Sequence, residues 1–176
     1  MQIIEQPHAI IHPGLVAGIG FFDGVHLGHR SLIANIISKA EERQMASAVI
    51  TFRTHPREVL HSDYCPQLIN TFEEKIEHLS QTGLNYCIVL DFTPEMSQMS
   101  ALDFIRFLID NYSLKCLFIG YDHRFGHNRL EGFEDYVNYG KELHIDVLQA
   151  EMCMPEGKHV SSSTIRQLIS EGNVSE

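Results

Sequence analysis

With 176 residues, 44% hydrophobic and 20% charged, the chain has the composition of a soluble globular domain able to bury a core without disulfide or metal staples. Acidic residues outnumber basic ones 23 to 13, a formal net charge of -10, which argues against a broad nucleic-acid surface but not against small polyanions held by local geometry. No apolar run reaches the roughly 20 residues of a bilayer span, and Met1 to Glu5 lacks the regions of a signal peptide, so a cytoplasmic protein with no membrane partner is expected.

Short apolar runs alternate with longer amphipathic ones. Leu15 to Gly20 reads as a first strand, and His29 to Arg43 as a helix with Leu32, Ile33, Ile36 and Ile37 on one face. Ala46 to Phe52 reads as the second strand. Thr71 precedes a helix start at Glu73, Glu74 and Lys75, with Ile76 and Leu79 facing inward. Tyr86 to Leu90 is the third strand, and Ala101 to Asn111 a helix carrying Phe104, Ile105 and Leu108. Cys116 to Gly120 is the fourth strand, Phe133 to Leu143 a helix, Ile145 to Ala150 the fifth strand, and Ser162 to Glu171 a last helix closed by Gly172. Alternation of this kind predicts an α/β, Rossmann-like, doubly wound parallel sheet of about five strands with helices on both faces. Ligands are then expected outside the carboxyl ends of the strands, at the topological switch point.

Two irregular stretches, His55 to Asn70 and Tyr121 to Gly132, directly follow strands and belong at that edge. Among the four cysteines, Cys65, Cys87, Cys116 and Cys153, no C-x-x-C pair occurs. Cys87 and Cys116 sit beside strand-like runs and are expected to be small buried hydrophobes.

The segment from Gly18 to His29 leaves the first strand and enters the first helix. Such a helix N-terminus offers unpaired N–H groups and a favourable dipole to phosphate. Gly24 and Gly28 allow a sharp turn and close approach. His26 and His29 are three apart and share a face of the first turn, so both imidazoles suit charge that develops on phosphate oxygens. Two histidines at this spacing also suit zinc, as do His123 and His127, but no cysteine or carboxylate lies at ligand spacing beside His26 and His29. No protein-held metal site is expected.

At the other end, Ser161 or Ser162 caps the last helix, and Arg166 projects a planar fork suited to phosphate. Alone, this pattern reads first as a plain helix cap with a solvated arginine, and its place after an H-x-G-H segment is what favours an anion site.

Together these strings carry a resemblance. Gly18-Ile19-Gly20-Phe21-Phe22-Asp23-Gly24-Val25-His26-Leu27-Gly28-His29 resembles the G-x-F-D-G-x-H-x-G-H signature of the FMN adenylyltransferase (FAD synthetase) module of bacterial bifunctional riboflavin kinase/FMN adenylyltransferases, in the H-x-G-H nucleotidyltransferase superfamily. Phe21 stands where many members carry Asn. Val160 to Arg166 resembles the second motif, I-S-S-T-x-I-R, with Ser163 in place of Thr. Thr51 to Arg57 resembles T-F-x-P-H-P, with Thr54 for Pro. Gly120 to Gly126 resembles G-x-D-F-x-F-G, with His123 for Phe, and the likeness continues through Asn128 to Gly132. Weaker echoes span Leu68 to Lys75 and Asp91 to Phe104, so the likeness covers nearly the whole chain from Leu15 onward.

The resemblance implies transfer of AMP from ATP to the phosphate of FMN, giving FAD and pyrophosphate, with Mg²⁺ accompanying ATP. His26 and His29 would steady the α-phosphate, and Ser162 and Arg166 would hold the departing phosphates. Gly20, Phe21, Phe22, Asp23, Gly24, Gly28, Ser161 and Ser163 would contribute to nucleotide binding. Asp23 would either orient the histidine loop or contact the metal through water. His55, Pro56 and Arg57 are candidates for the flavin phosphate or ring, Asp122 for a base or ribose, and Arg124 for phosphate. Phe125 would pack on adenine or flavin, or in the core.

Three alternatives stay open: another phosphorylated acceptor, a nucleotide-binding module without catalysis, and a metal-binding histidine protein. The resembling family continues into a C-terminal riboflavin kinase domain. Residues 1–176 read as a single nucleotidyltransferase domain without one, either excised from a fusion or naturally alone, and no riboflavin phosphorylation is expected of them.

Overall fold

A computed structural model describes residues 1–7, 10–60, 67–121, 123–127, 130–150 and 161–173. Asp122, Cys65, Cys153, Val160, Asn128 and Arg129 lie outside the described residues.

Six parallel strands form one sheet: β1 (Gln2–Ile4), β2 (Leu15–Ile19), β3 (Ala46–Phe52), β4 (Tyr86–Leu90), β5 (Leu114–Ile119) and β6 (Asp146–Gln149), in the order β1-β4-β3-β2-β5-β6. The helices are α1 (Leu27–Glu42), α2 (Pro56–Leu60), α3 (Phe72–Ser80), α4 (Pro94–Ser97), α5 (Ala101–Tyr112), α6 (Phe133–Glu142) and α7 (Ser162–Ser170). The doubly wound expectation holds, with six strands in place of about five. The additional strand, β1, pairs Gln2, Ile3 and Ile4 with Tyr86, Cys87 and Ile88. Three residues at a sheet edge are too short to show a period, so only the long-range pairing reveals them. Short helices α2 and α4 likewise lie in stretches read as irregular or as a weak echo.

Side-chain alternation along the buried strands divides the core in two. Ala17, Ile19, Ala48, Ile50, Ile88 and Leu90 face the layer of α5 and α6, packing with Phe104, Ile105, Leu108, Tyr112 and Tyr136. Val16, Val49, Cys87 and Val89 face the opposite layer, packing with Leu32, Ile33, Ile36 and Ala40 of α1 and Leu79 of α3. Ile37 of α1 and Ile76 of α3 are only partly buried, while Lys75 is buried beside Leu79 in α3. Cys87 and Cys116 are fully buried free thiols whose pKa values burial pushes up to about 12 and about 11.

Ladder register aligns the strand ends. Ile19 pairs with Ile50, Phe52 with Leu90, and Gly18 with Phe118. Because β3 and β5 flank β2 on opposite sides, the chain reverses direction of winding at β2. The histidine loop leaves β2, and residues 120–127 leave β5, so both segments flank the switch point. No described helix is long and apolar enough to cross a membrane.

Candidate active site

The histidine loop is built on backbone conformations that local sequence alone would not favour. Phe22 (φ 58) and Val25 (φ 37) are left-handed non-glycine residues on either side of Gly24 (φ 77). Such conformations persist only where surrounding structure over-determines them. Here burial does so, since Phe22 and Val25 are 0% and 1% exposed. The Phe22 ring therefore belongs to the core beneath the loop, and only its backbone belongs to the loop surface. At Gly20 an added Cβ would lie 3.2 Å from that ring, and Gly28 occupies the first turn of α1.

A Cβ on Gly24 would come within 2.9 Å of Ile69 Cδ1, a side-chain tip able to turn aside. The left-handed backbone is the larger obstacle for an L-residue. Gly24→Ala should destabilise the fold by about 1–2 kcal/mol, read as a shift in the urea midpoint at unchanged slope.

His26 caps α1. Its Nδ1 accepts the His29 N–H at 3.4 Å, which places the proton of the neutral ring on Nε2. The two rings stack with centroids 3.7 Å apart and 21° between planes. The sequence expectation that they share a face is met. Burial foremost, with the neighbouring His26 and His123 adding to it, lowers the His29 pKa to about 3. His29 is thus a neutral imidazole at physiological pH, and its buried Nδ1 has no hydrogen-bond partner among the described residues.

Asp23 joins the two ends of the chain. Its carboxylate, 3% exposed, accepts from the Ile69 N–H at 2.9 Å and the Asn70 N–H at 3.3 Å. Arg166 Nη2 and Nε donate to the same carboxylate at 2.7 and 3.2 Å. The Asp23 carbonyl accepts from Ser162 Oγ at 2.9 Å. Of the two roles open to Asp23, the geometry supports orientation: its oxygens already serve four donors.

The Ser161 hydroxyl caps α7 by accepting from the Thr164 N–H at 3.2 Å. Ser162 spends its hydroxyl hydrogen on Asp23 and Thr164 its N–H on Ser161, which leaves the Ser162 and Ser163 N–H groups at the start of α7 without an intrahelical partner.

Beside this polar junction a cavity of about 290 Å³ opens at the strand ends. Its lining includes Phe21, His55, Pro56, Arg57, Arg124, Phe125, Ser163 and Arg166, all singled out from sequence. Arg166 thus touches both regions, with one edge on Asp23 and the side chain also lining the cavity. Phe125 is 8% exposed, stacks on Tyr136 at 4.4 Å, and has its backbone N–H and carbonyl both bonded to the Tyr136 hydroxyl. It is a core residue that also borders the cavity.

One wall had no strong sequence signal. Phe92, Met96, Ser97 and Met99, from the connection between β4 and α5, complete the cavity with Phe104, His123 and His127. His127 ties that wall to the loop after β5, its Nδ1 lying 3.1 Å from Ser97 O and its N–H donating to Met99 O at 2.9 Å. The wall directly follows a strand, so the strand-end rule that selected His55 and Arg124 also covered it. Lys75 was missed outright, because a lysine in a polar helix start resembles a solvated one.

Among the described residues, no group of three or more His, Cys, Asp or Glu side chains is placed to hold a metal ion.

Comparison with known proteins gives relatives along almost the whole chain. The bifunctional riboflavin kinase/FMN adenylyltransferase of Buchnera aphidicola subsp. Acyrthosiphon pisum is 32% identical over 177 residues, 99% of this chain and 56% of the relative. The Escherichia coli (strain K12) protein of the same description is 29% identical, covering 99% and 57%. That of Bacillus subtilis (strain 168) is 32% identical, covering 97% and 55%. The chain thus spans little more than half the length of these curated relatives.

Among solved structures, one described as a macrolide-efflux protein from Streptococcus pneumoniae superposes with a TM-score of 0.84 at 27% identity, over 99% of this chain and 58% of its own. A pantoate-beta-alanine ligase from Francisella tularensis shares the fold alone, with a TM-score of 0.59 at 13% identity over 98% of this chain and 77% of its own. The FAD synthetase family model matches residues 9–164, and with most of its length so matched the chain belongs to the FAD synthetase family.

Proposed function

We propose that this domain transfers AMP from ATP to the phosphate of FMN, producing FAD and pyrophosphate. The observation that carries the reading is the Asp23 junction, which draws the histidine loop and the start of α7 together beside an aromatic cavity rimmed by arginine and histidine. An FMN phosphate oxygen attacks the α-phosphorus of ATP, the bond from that phosphorus to the bridging oxygen breaks, and pyrophosphate leaves with the electron pair. No protein nucleophile is required, since the attacking oxygen is already anionic.

His26 and neutral His29 donate toward the α-phosphate, and the first turn of α7 with Arg166 holds the departing phosphates. Mg²⁺ arriving with ATP would supply neutralisation of charge between the phosphates. The cavity, with its aromatic walls and His55, Arg57 and Arg124, suits a flat ring system bearing a phosphate. The names of the relatives support FMN as acceptor. A net charge of -10 argues against a broad nucleic-acid surface and not against small anions held by local geometry, and the cytoplasm is the proposed compartment. In a longer natural chain the partner would be a riboflavin kinase domain.

Purified protein given Mg-ATP with either FMN or riboflavin, with products resolved by chromatography, tests the reading. FAD from FMN is expected, with riboflavin serving as the unphosphorylated control acceptor. Failure to release pyrophosphate with FMN, alongside turnover of another phosphorylated acceptor, would reject the acceptor.

A further inference from the structure

Lys75 is 3% exposed, and no carboxylate among the described residues forms an ion pair with it. Its helix explains how it gets there. Thr71 and Glu74 form a reciprocal capping box at the start of α3, which fixes the helix so that Lys75 and Leu79, one turn apart, both point inward. Nζ then donates to Phe21 O at 3.2 Å, to Phe52 O at 3.0 Å and to Thr51 Oγ1 at 3.3 Å. The Thr51 hydroxyl in turn donates to the same Phe21 carbonyl at 3.0 Å. Nζ also lies 4.0 Å from the centroid of the Phe21 ring, which borders the cavity and meets His55 edge-on at 4.6 Å.

An ammonium has three N–H donors, and here each has an oxygen. Two of those oxygens belong to the end of β3 and one to the first residues of the histidine loop.

We propose that Lys75 is a positioning residue of the adenylyl-transfer site: its buried ammonium clamps the start of the histidine loop to the end of β3 and so sets where His26 and His29 stand. The proposal rests on the adenylyl-transfer reading for its kinetic consequences, though not for the clamp itself. Burial lowers the Lys75 pKa to about 8, opposed by Cys87 from β4 below and by Asp23 in the loop. Among the described residues no ion pair holds it, and Phe72 of its own helix presents a ring to Nζ, with Arg53 on that ring. Deprotonation removes both the charge and one donor, so the clamp weakens as pH rises through about 8.

Stability runs the other way. The unfolded chain, with an ordinary lysine pKa of 10.5, binds more protons than the native state between about 8 and 10.5, so this group makes the fold more stable as pH rises through that window. Cys87 and Cys116, held above the ordinary thiol value of 9.0, act in the opposite sense above that pH, so circular dichroism at each pH separates a loss of turnover from a loss of fold.

Lys75→Met keeps the length of the side chain without the charge. Turnover should fall by about 10- to 100-fold, the scale of a small misplacement of reacting groups, with KM for ATP and FMN little changed. The parent's decline in kcat through about pH 8 should vanish in the variant. Turnover within twofold of the parent, or a surviving decline, overturns the proposal. Should Lys75→Met not fold, Thr51→Val decides, since it removes one acceptor and keeps the ammonium. It should lower kcat and move the midpoint to lower pH, and an unchanged profile rejects the clamp. A third readout needs no acceptor: the Phe22 and Asp23 amide NMR signals should titrate with a midpoint near 8 in the parent and lose that step in Lys75→Met. Absence of the step in the parent rejects the clamp. Its presence without FAD formation from FMN leaves the clamp standing and removes the adenylyl-transfer reading alone.

Discussion

His29→Ala should lower turnover with Mg-ATP and FMN by about 10²–10³, as removal of a donor to transition-state charge does. KM should change little, because the interaction being lost strengthens only as charge builds on the α-phosphate. Steady-state pyrophosphate release measures both, with circular dichroism confirming the fold. A change under threefold in a folded variant would remove His29 from the mechanism. The pKa of about 3 adds a second expectation. His29 stays neutral across the physiological range, so its protonation should contribute no acid limb to kcat near pH 6.5.

The same displacement acts on stability. Below an unfolded-state pKa of 6.5 the unfolded chain takes up a proton that native His29 refuses until about pH 3. Stability from this group is therefore present above 6.5 and lost as pH falls toward 3. His29→Ala should accordingly be less sensitive to acid than the parent in urea titrations at pH 7 and pH 5.

Asp23→Asn should cost more in stability than any other single change at the site. It leaves Arg166, whose side chain is 28% exposed, facing a neutral amide, and weakens acceptance from the Ile69 and Asn70 N–H groups. Breaking a buried pair by removing one partner costs about 3–5 kcal/mol; with Arg166 partly solvated, about 2–4 kcal/mol is expected. For a domain of this length that is a fall in Tm of roughly 5–15 °C. Arg166→Ala should instead raise KM for ATP, with a smaller loss of stability. If the two act through their ion pair, the double variant will be less destabilised than the sum of the singles. Strict additivity would mean that Asp23 works through the amides of residues 69 and 70 alone.

The contrast between Asp23 and Lys75 shows what kind of information local sequence holds. Asp23 stands inside a string specific enough to notice, yet local sequence leaves its role between orienting the loop and meeting a metal. Its partners lie 46, 47 and 143 residues away, and no local pattern reports such distances. Lys75 was passed over because helical periodicity selects apolar residues for the inner face, whereas this position is satisfied by carbonyls that only the neighbouring strands supply. The wall from Phe92 to Met99 is intermediate. Its place after a strand was readable, but its closure over the cavity depends on His127 bonding back to Ser97 and Met99.

By itself the sequence determined the alternation of strands and helices, and with it the parallel sheet and the edge at which every post-strand loop must gather. Periodicity and helix caps are local properties, and parallel strands place all their carboxyl ends on one side. It also singled out both segments that meet at Asp23, since glycines, histidines and a serine cap act through short-range geometry. The tertiary structure alone decided that Asp23 holds those segments together, that His29 is neutral, that the Phe22 ring is core, and that a lysine lies buried beneath the loop. Each depends on burial and on partners brought from far along the chain, where desolvation and pairing outweigh the preferences of the local residues.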